Sequence, residues 1–228
     1  MTSNFICIGG LCFGATILNR KSTLKLFNEI KSPINNARLR GGFMHAHKLF
    51  DGTFRNTILN DKHPISYKYK EGARYPHLYF DKNYIFPHID LSKQESRLKL
   101  TERYNSLMDF VKDPQGDYWY VYSLTMDDIN LTVDEINAQL NRLSKYINVN
   151  RIIFLGSKLY TDDELAKAGV KLPVYSPPSF NARNENFRKV VGDRYFVIEP
   201  SNAYDLAAHR FIEIFNRYKN KKEQHSCS

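Results

Sequence analysis

Short, near-continuous apolar runs alternate along this chain with stretches in which apolar residues return every three or four positions. The first run, Phe5-Ile6-Cys7-Ile8, ends at Gly9-Gly10 and predicts a strand closed by a tight turn, after which residues 12–18 carry helical spacing. From residue 21 to 90 the rhythm breaks. A short helix is expected over 23–30 and a short strand over 83–86, with Gly, Pro, Asn, His and Tyr in quantity between them. Beyond Leu91 the pattern sharpens again. A charged helix is predicted over 93–111, where Leu100, Tyr104, Leu107 and Val111 share one face, and it stops at Asp113-Pro114-Gln115-Gly116. Residues 118–123 read as a strand. Thr132 then caps a helix whose stripe is Val133, Ile136, Leu140, Leu143 and Ile147, with Glu135 completing a capping box. A buried strand is expected at 151–155, a short helix at 162–168 ended by Gly169, strand signals at Val174-Tyr175 and 195–198, and a closing helix over 202–218.

Strands without polar alternation, separated by amphipathic helices, predict an α/β chain. Its expected form is a three-layer, mostly parallel sheet with flanking helices and an irregular basic insertion after the first helix. Residues 1–218 are expected to form a single domain, and 219–228 a frayed, flexible basic tail. In such sheets ligands bind beyond the carboxyl ends of the strands, where Gly10 and the residues after it fall.

Composition narrows the setting. With 228 residues, 42% hydrophobic and 25% charged, the chain can bury a full core, which excludes a disulfide-stapled mini-protein. Its stretch 5–18 is interrupted by three glycines, is shorter than a membrane helix requires, and lacks the basic leader and cleavage signal of a secretory peptide. Cys7, Cys12 and Cys227 have neither disulfide-framework nor CxxC spacing, so a cytoplasmic location without membrane association is expected. Charge is more informative. The net +9 comes from 33 Lys and Arg against 24 Asp and Glu, and residues 20–104, with 17 basic against 8 acidic, hold the whole excess. Such a patch suits a phosphate backbone or an anionic substrate, and it also keeps a domain soluble.

The segment Ile8-Gly9-Gly10-Leu11-Cys12 is the first candidate for chemistry. Two glycines let the backbone turn tightly and present its amides, and a thiol at the start of the next helix would feel the positive end of the helix dipole. That combination supplies a nucleophilic thiolate and an oxyanion hole. The plainer alternative is a small buried cysteine that packs the helix. Nucleotide binding fits less well: Gly9, Gly10 and Gly14 do not form G-x-G-x-x-G, and no Lys-Ser/Thr follows.

The same segment, followed by an apolar helix ending in Leu18-Asn19-Arg20 and by Lys31-Ser32-Pro33-Ile34-Asn35, resembles the opening of a bacterial family of uncharacterised papain-like cysteine peptidases. Tyr84-Ile85-Phe86-Pro87-His88-Ile89-Asp90 is similar to that family's His-Asp motif, which precedes a charged helix and a strand as Glu102-Arg103 and residues 118–122 do here. The chain departs where the family has Pro-Phe-Asp-Trp, with Pro33-Ile34-Asn35-Asn36, and Ile89 separates His88 from Asp90. The resemblance implies Cys12 as nucleophile, His88 as base, and Asp90 or Asn35 as the group that orients the imidazole. Such a hydrolase or acyl transferase would act on an amide, ester or thioester without a cofactor. An anionic substrate would meet Gly10, Arg38, Arg40, Lys68 and Arg74.

Other constellations compete. His45 and His47 would share a strand face, but no third ligand for a metal is evident, so they are expected to face solvent. Asp205 and His209, four apart on the closing helix, parallel the late acid and histidine of three-layer SGNH esterases, and equally form an ordinary ion pair. Finally, Tyr67, Tyr69, Tyr75, Tyr79 and Phe80 are interleaved with Lys68, Lys70, Arg74 and Lys82, a combination that stacks bases and pairs phosphates. The alternative to the hydrolase is therefore a non-catalytic module that binds nucleic acid or an anionic glycan through the basic and aromatic residues of 20–104, and oligomeric state is left open.

Overall fold

A computed structural model of the chain describes residues 3–10, 17–18, 27–30, 38–39, 41–59, 66–69, 71, 77–80, 84–86, 89–157, 182–198 and 204–226. Nine strands lie among them. In chain order they are β1 (Ser3–Gly10), β2 (Phe27–Ile30), β3 (Arg38–Leu39), β4 (Ser66–Tyr69), β5 (His77–Phe80), β6 (Tyr84–Phe86), β7 (Tyr118–Ser123), β8 (Ile152–Ser157) and β9 (Tyr195–Ile198). A five-stranded sheet of order β2-β1-β7-β8-β9 is parallel at every pairing, and a four-stranded sheet of order β3-β6-β5-β4 is antiparallel.

The parallel sheet forms because its strands are apolar on both faces. Ile6, Ile8, Tyr120, Tyr122, Ile152, Phe154 and Tyr195 point to one side, and Phe5, Trp119, Val121, Ile153, Leu155, Phe196 and Ile198 to the other. The first side is covered by the 3-10 helix Gly42–Leu49, α1 (Thr53–Ile58), α2 (Gln94–Lys112), α3 (Val133–Leu143) and α4 (Glu185–Val191). The second is covered by α5 (Tyr204–Ser226), through Ala207, Ala208, Phe211, Ile212 and Phe215, and by the helical residues Ile17 and Leu18. This is the expected α/β architecture, a parallel sheet between two layers of helices. The capping box at α3 also forms: Glu135 N–H donates to Thr132 Oγ1 at 3.2 Å and Thr132 N–H to Glu135 Oε2 at 2.8 Å.

Three local expectations are corrected. Residues 27–30 are not helical but pair in parallel with Ser3 to Ile6 of β1; Phe-Asn-Glu-Ile carries too short a period to choose, and the open edge of a buried strand decides. His45 and His47 lie on a 3-10 helix rather than a strand, because Phe43, Ala46 and Leu49 are buried at the three-residue period of that helix. The closing helix does not end at 218: α5 runs to Ser226, and Lys219 Nζ reaches Asp117 Oδ2 at 2.7 Å. The segment expected to be irregular also holds the antiparallel sheet. The predictions at 162–168 and 174–175 lie outside the described residues.

Among the described residues no helix is long and apolar enough to cross a membrane.

Candidate functional site at the carboxyl edge of the parallel sheet

Strand order locates the site. β2 flanks β1 on one side and β7, β8 and β9 follow on the other, so the chain reverses its direction of winding between β1 and β7. The crevice beyond the carboxyl ends of two such strands is the usual ligand site of a doubly wound sheet. Here those ends are Gly10 and Ser123, which are paired in register.

The backbone at Gly10 requires glycine twice over. Its φ is 84°, and a Cβ there would stand 1.5 Å from the carbonyl oxygen of Ser123. A register shift between Cys7 and Gly9 bends β1 as it arrives, which brings the two backbones together. Ser123 lies on the same side of β7 as Trp119 and Val121, the side on which Ile17 and Leu18 pack. Its side chain is buried, at 1% exposure, and Oγ has no hydrogen-bond partner among the described residues. Buried hydroxyls nearly always find one.

The opposite side of the same strand end is fully satisfied. Thr125-Met126-Asp127-Asp128 forms a capping box immediately after β7. The buried Asp128 carboxylate accepts four hydrogen bonds: from Phe43 N–H at 2.6 Å, Thr125 N–H at 2.7 Å, Tyr122 Oη at 2.9 Å and Thr125 Oγ1 at 3.1 Å. Burial pushes the Asp128 carboxyl up, against the opposing pull of those donors. Gly42, at φ 58°, lets the chain pass close by, since a Cβ there would lie 2.2 Å from Asp128 Oδ1. Phe43 is thereby set edge-on against Tyr122, Phe154 and Phe187, with centroids 5.2, 5.1 and 5.5 Å away. Asn184 completes this side, donating through Nδ2 to the carbonyls of Asp128 and Leu131, both at 2.8 Å.

Of the residues singled out in the sequence, Gly10 lies at this edge. Cys12, Asn35, Arg40, Arg74 and His88 lie outside the described residues, as do the side chains of Arg38 and Asp205. Asp90 begins a turn into α2, accepting from Ser92 N–H at 3.1 Å and Ser92 Oγ at 2.5 Å, with Lys93 Nζ 3.8 Å away. The Ser92 and Tyr79 hydroxyls hold its carboxyl down at about 2, so it is ionised throughout the neutral range. His209 is exposed on α5, outside the buried stripe of that helix. Lys68 is exposed on β4, an edge strand of the antiparallel sheet.

His47 is more enclosed than expected. Its Nδ1 lies 3.1 Å from Gln139 Nε2 and its Nε2 lies 3.8 Å from Asp51 Oδ2, and burial lowers its pKa despite the nearby Asp51 charge. Among the described residues, no group of three or more His, Cys, Asp and Glu is arranged to hold a metal ion.

The sequence reading missed Asp128, Asn184 and Ser123. Thr-x-x-Asp directly after a strand is a readable cap signature and could have located Asp128. No family model matches the chain, and no curated protein or solved structure is significantly similar to it.

Proposed function

We propose that the chain is a cysteine-dependent hydrolase or acyl transferase that works at the β1/β7 switch point, with Cys12 as nucleophile and His88 as its base. The observation that carries this reading is the Ser123 hydroxyl, buried beside the Gly10 backbone and unpartnered among the described residues. A polar group left in that state is retained at a cost, and sites that bind a reacting group are where such costs concentrate. Covalent geometry supports the nucleophile: two residues past Gly10, the Cys12 Cα is within about 7 Å of the Gly10 Cα in any conformation.

In this reading His88 takes the thiol proton and the Cys12 thiolate attacks the carbonyl carbon of an amide, ester or thioester. The tetrahedral oxyanion accepts hydrogen bonds from backbone N–H groups after Gly10. Collapse expels the leaving group, which takes the proton back from His88, and a thioester remains on Cys12. Water or another acyl acceptor then gives up a proton to His88, attacks that thioester and restores the thiol. The basic excess in residues 20–104 favours an anionic acyl substrate.

Alkylation by iodoacetamide across pH tests the assignment. Cys12 is expected to react fastest, with a pKa below the value of about 8.5 for a free thiol. Cys7, which is buried, serves as an internal control. His88→Ala is expected to slow the Cys12 reaction and His209→Ala to leave it unchanged. A Cys12 rate no greater than that of Cys227 at neutral pH would overturn the proposal.

A further inference from the structure

A cleft between α1 and α2 is left unused by the hydrolase reading. It has a volume of about 390 Å³ and is lined by Arg55, Asn56, Leu59, Thr101 and Asn105. Residues four apart share one side of a helix, so Thr101 and Asn105 form the α2 wall from successive turns, and Arg55 faces them with Leu59 one turn beyond it. Aromatic packing holds the walls in place. Phe54 of α1 stacks on Tyr104 of α2 with centroids 5.5 Å apart and ring planes at 18°, and it meets Tyr84 edge-on at 5.1 Å. The volume is that of a small-molecule site, but four of the five described lining residues are polar, where such sites are mostly apolar. A ligand that fits must therefore form hydrogen bonds over much of its surface.

The state of each lining group narrows the ligand further. Arg55 is the charged residue among those described in the lining, and it forms no ion pair among the described residues. The carboxylate of Asp51, close by in the chain, is engaged elsewhere: it accepts from Thr53 N–H at 2.8 Å and stands 3.8 Å from His47 Nε2. A guanidinium only donates, so the ligand must present an acceptor to it, and an oxyanion gains most. Thr101 makes the opposite demand. Its hydroxyl proton is spent on the Arg97 carbonyl at 3.0 Å, so toward the cleft it can only accept, and the ligand must bring a donor. The carboxamides of Asn56 and Asn105 form no side-chain hydrogen bond among the described residues, and each offers both a donor and an acceptor, as a hydroxyl group does.

We propose that the cleft binds a small polyhydroxylated anion, a sugar phosphate or a sugar acid, with its phosphate or carboxylate on the Arg55 guanidinium and its hydroxyls on Asn56, Thr101 and Asn105. Leu59 packs against the C–H side of the sugar. A hydrocarbon acid would leave Thr101 and both carboxamides without partners, and a neutral sugar would leave the guanidinium without its anion. The proposal does not depend on Cys12 or His88.

Heteronuclear NMR of the full chain tests it, with glucose 6-phosphate, glucuronate, glucose and inorganic phosphate as probes. Glucose 6-phosphate or glucuronate is expected to shift the side-chain amide signals of Asn56 and Asn105 saturably, with a Kd below about 1 mM. The tighter of the two identifies phosphate or carboxylate as the head group. Glucose and inorganic phosphate each carry half of the recognised chemistry and should bind at least about tenfold more weakly. Arg55→Gln should weaken binding by about 10- to 150-fold, the effect of a hydrogen bond to a charged group, and Asn105→Ala by about 2- to 10-fold. Both positions are exposed, and unchanged thermal unfolding of each variant separates lost binding from lost fold. The absence of a saturable shift with either anion, inorganic phosphate held as tightly as glucose 6-phosphate, or an affinity unchanged by Arg55→Gln would each overturn the proposal.

Discussion

The two edges of the parallel sheet are closed by different chemistry. At the amino edge Asp117 receives Lys219 Nζ at 2.7 Å, Arg151 Nη1 at 2.9 Å and Ser3 Oγ at 2.5 Å, so β1, the start of β8 and the end of α5 are held by charge. At the carboxyl edge Asp128 is held by neutral donors, two of them backbone N–H groups, and a few residues away the Ser123 hydroxyl is held by none of the described residues. Saturated ion pairs at one edge and, at the other, a buried hydroxyl without a partner among the described residues divide the two ends of a single sheet. That division follows from the strands being parallel: all their carboxyl ends, and the loops that leave them, gather at one edge.

The comparison is broken most severely at Gly10. Gly10→Ala drives a methyl group into the Ser123 carbonyl, which is backbone and cannot rotate away, and it asks alanine to hold a positive φ. A loss of more than about 4 kcal/mol is expected. Urea denaturation followed by Trp119 fluorescence measures it, since Trp119 is the sole tryptophan and is buried between β7 and α5. Next comes Asp128→Ala, which leaves the Phe43 and Thr125 N–H groups and the Tyr122 hydroxyl without their acceptor. The expected cost is about 3–5 kcal/mol, most of it from stranding buried donors.

Asp117→Asn should cost less, about 1–2 kcal/mol, because its partners are partly solvated. Its pH signature sharpens the comparison. Burial would raise the Asp117 pKa, but hydrogen bonds from Lys219 and Ser3 and the Lys219 charge outweigh it and leave the carboxyl below its ordinary range. Its contribution is therefore present above the unfolded-state value of about 3.9 and is lost as pH falls through the lower folded-state value. Asp128 runs the other way. Raised by burial, its carboxyl favours the fold most when protonated, and that contribution declines as pH rises through the folded-state value. From pH 3 to 7, the stability advantage of the native chain over Asp117→Asn should widen, and its advantage over Asp128→Asn should narrow. Parallel curves in urea titrations would mean that the two edges are electrostatically alike.

How far the sequence foretold this follows from the same physics. The strands β1, β7, β8 and β9 are legible because burial on both faces writes an uninterrupted apolar run, and α3 because its cap and its stripe agree. Of the antiparallel sheet only β6 is, at the strand expected over 83–86; β3, β4 and β5 have only two to four residues, too few for a period to show. At the site, Gly10 stands out because two adjacent glycines weaken a strand end unless the backbone turns there or another chain segment comes close. Asp128 has a local signature, but its meaning lies in Phe43, 85 residues away, which the turn at Gly42 delivers. Ser123 has no signature at all. A serine at a strand end is ordinary, and only its lack of a partner among the described residues, a property of the folded chain, marks it.

Ser123→Ala is accordingly the smallest change in stability and the most discriminating. Removing a hydroxyl that makes no hydrogen bond to the described residues loses no such interaction and relieves its desolvation. Stability should therefore stay within about 0.5 kcal/mol of native or rise by up to about 1 kcal/mol. If the hydroxyl serves the reaction, alkylation of Cys12 in the same variant should slow by about tenfold, the effect of one hydrogen bond to a charged group. Stability and reactivity thus move independently, as they do for no other residue described at this edge. A variant destabilised by more than about 2 kcal/mol with Cys12 reactivity unchanged would show Ser123 to be packing, and the carboxyl edge would then be as purely structural as the amino edge opposite.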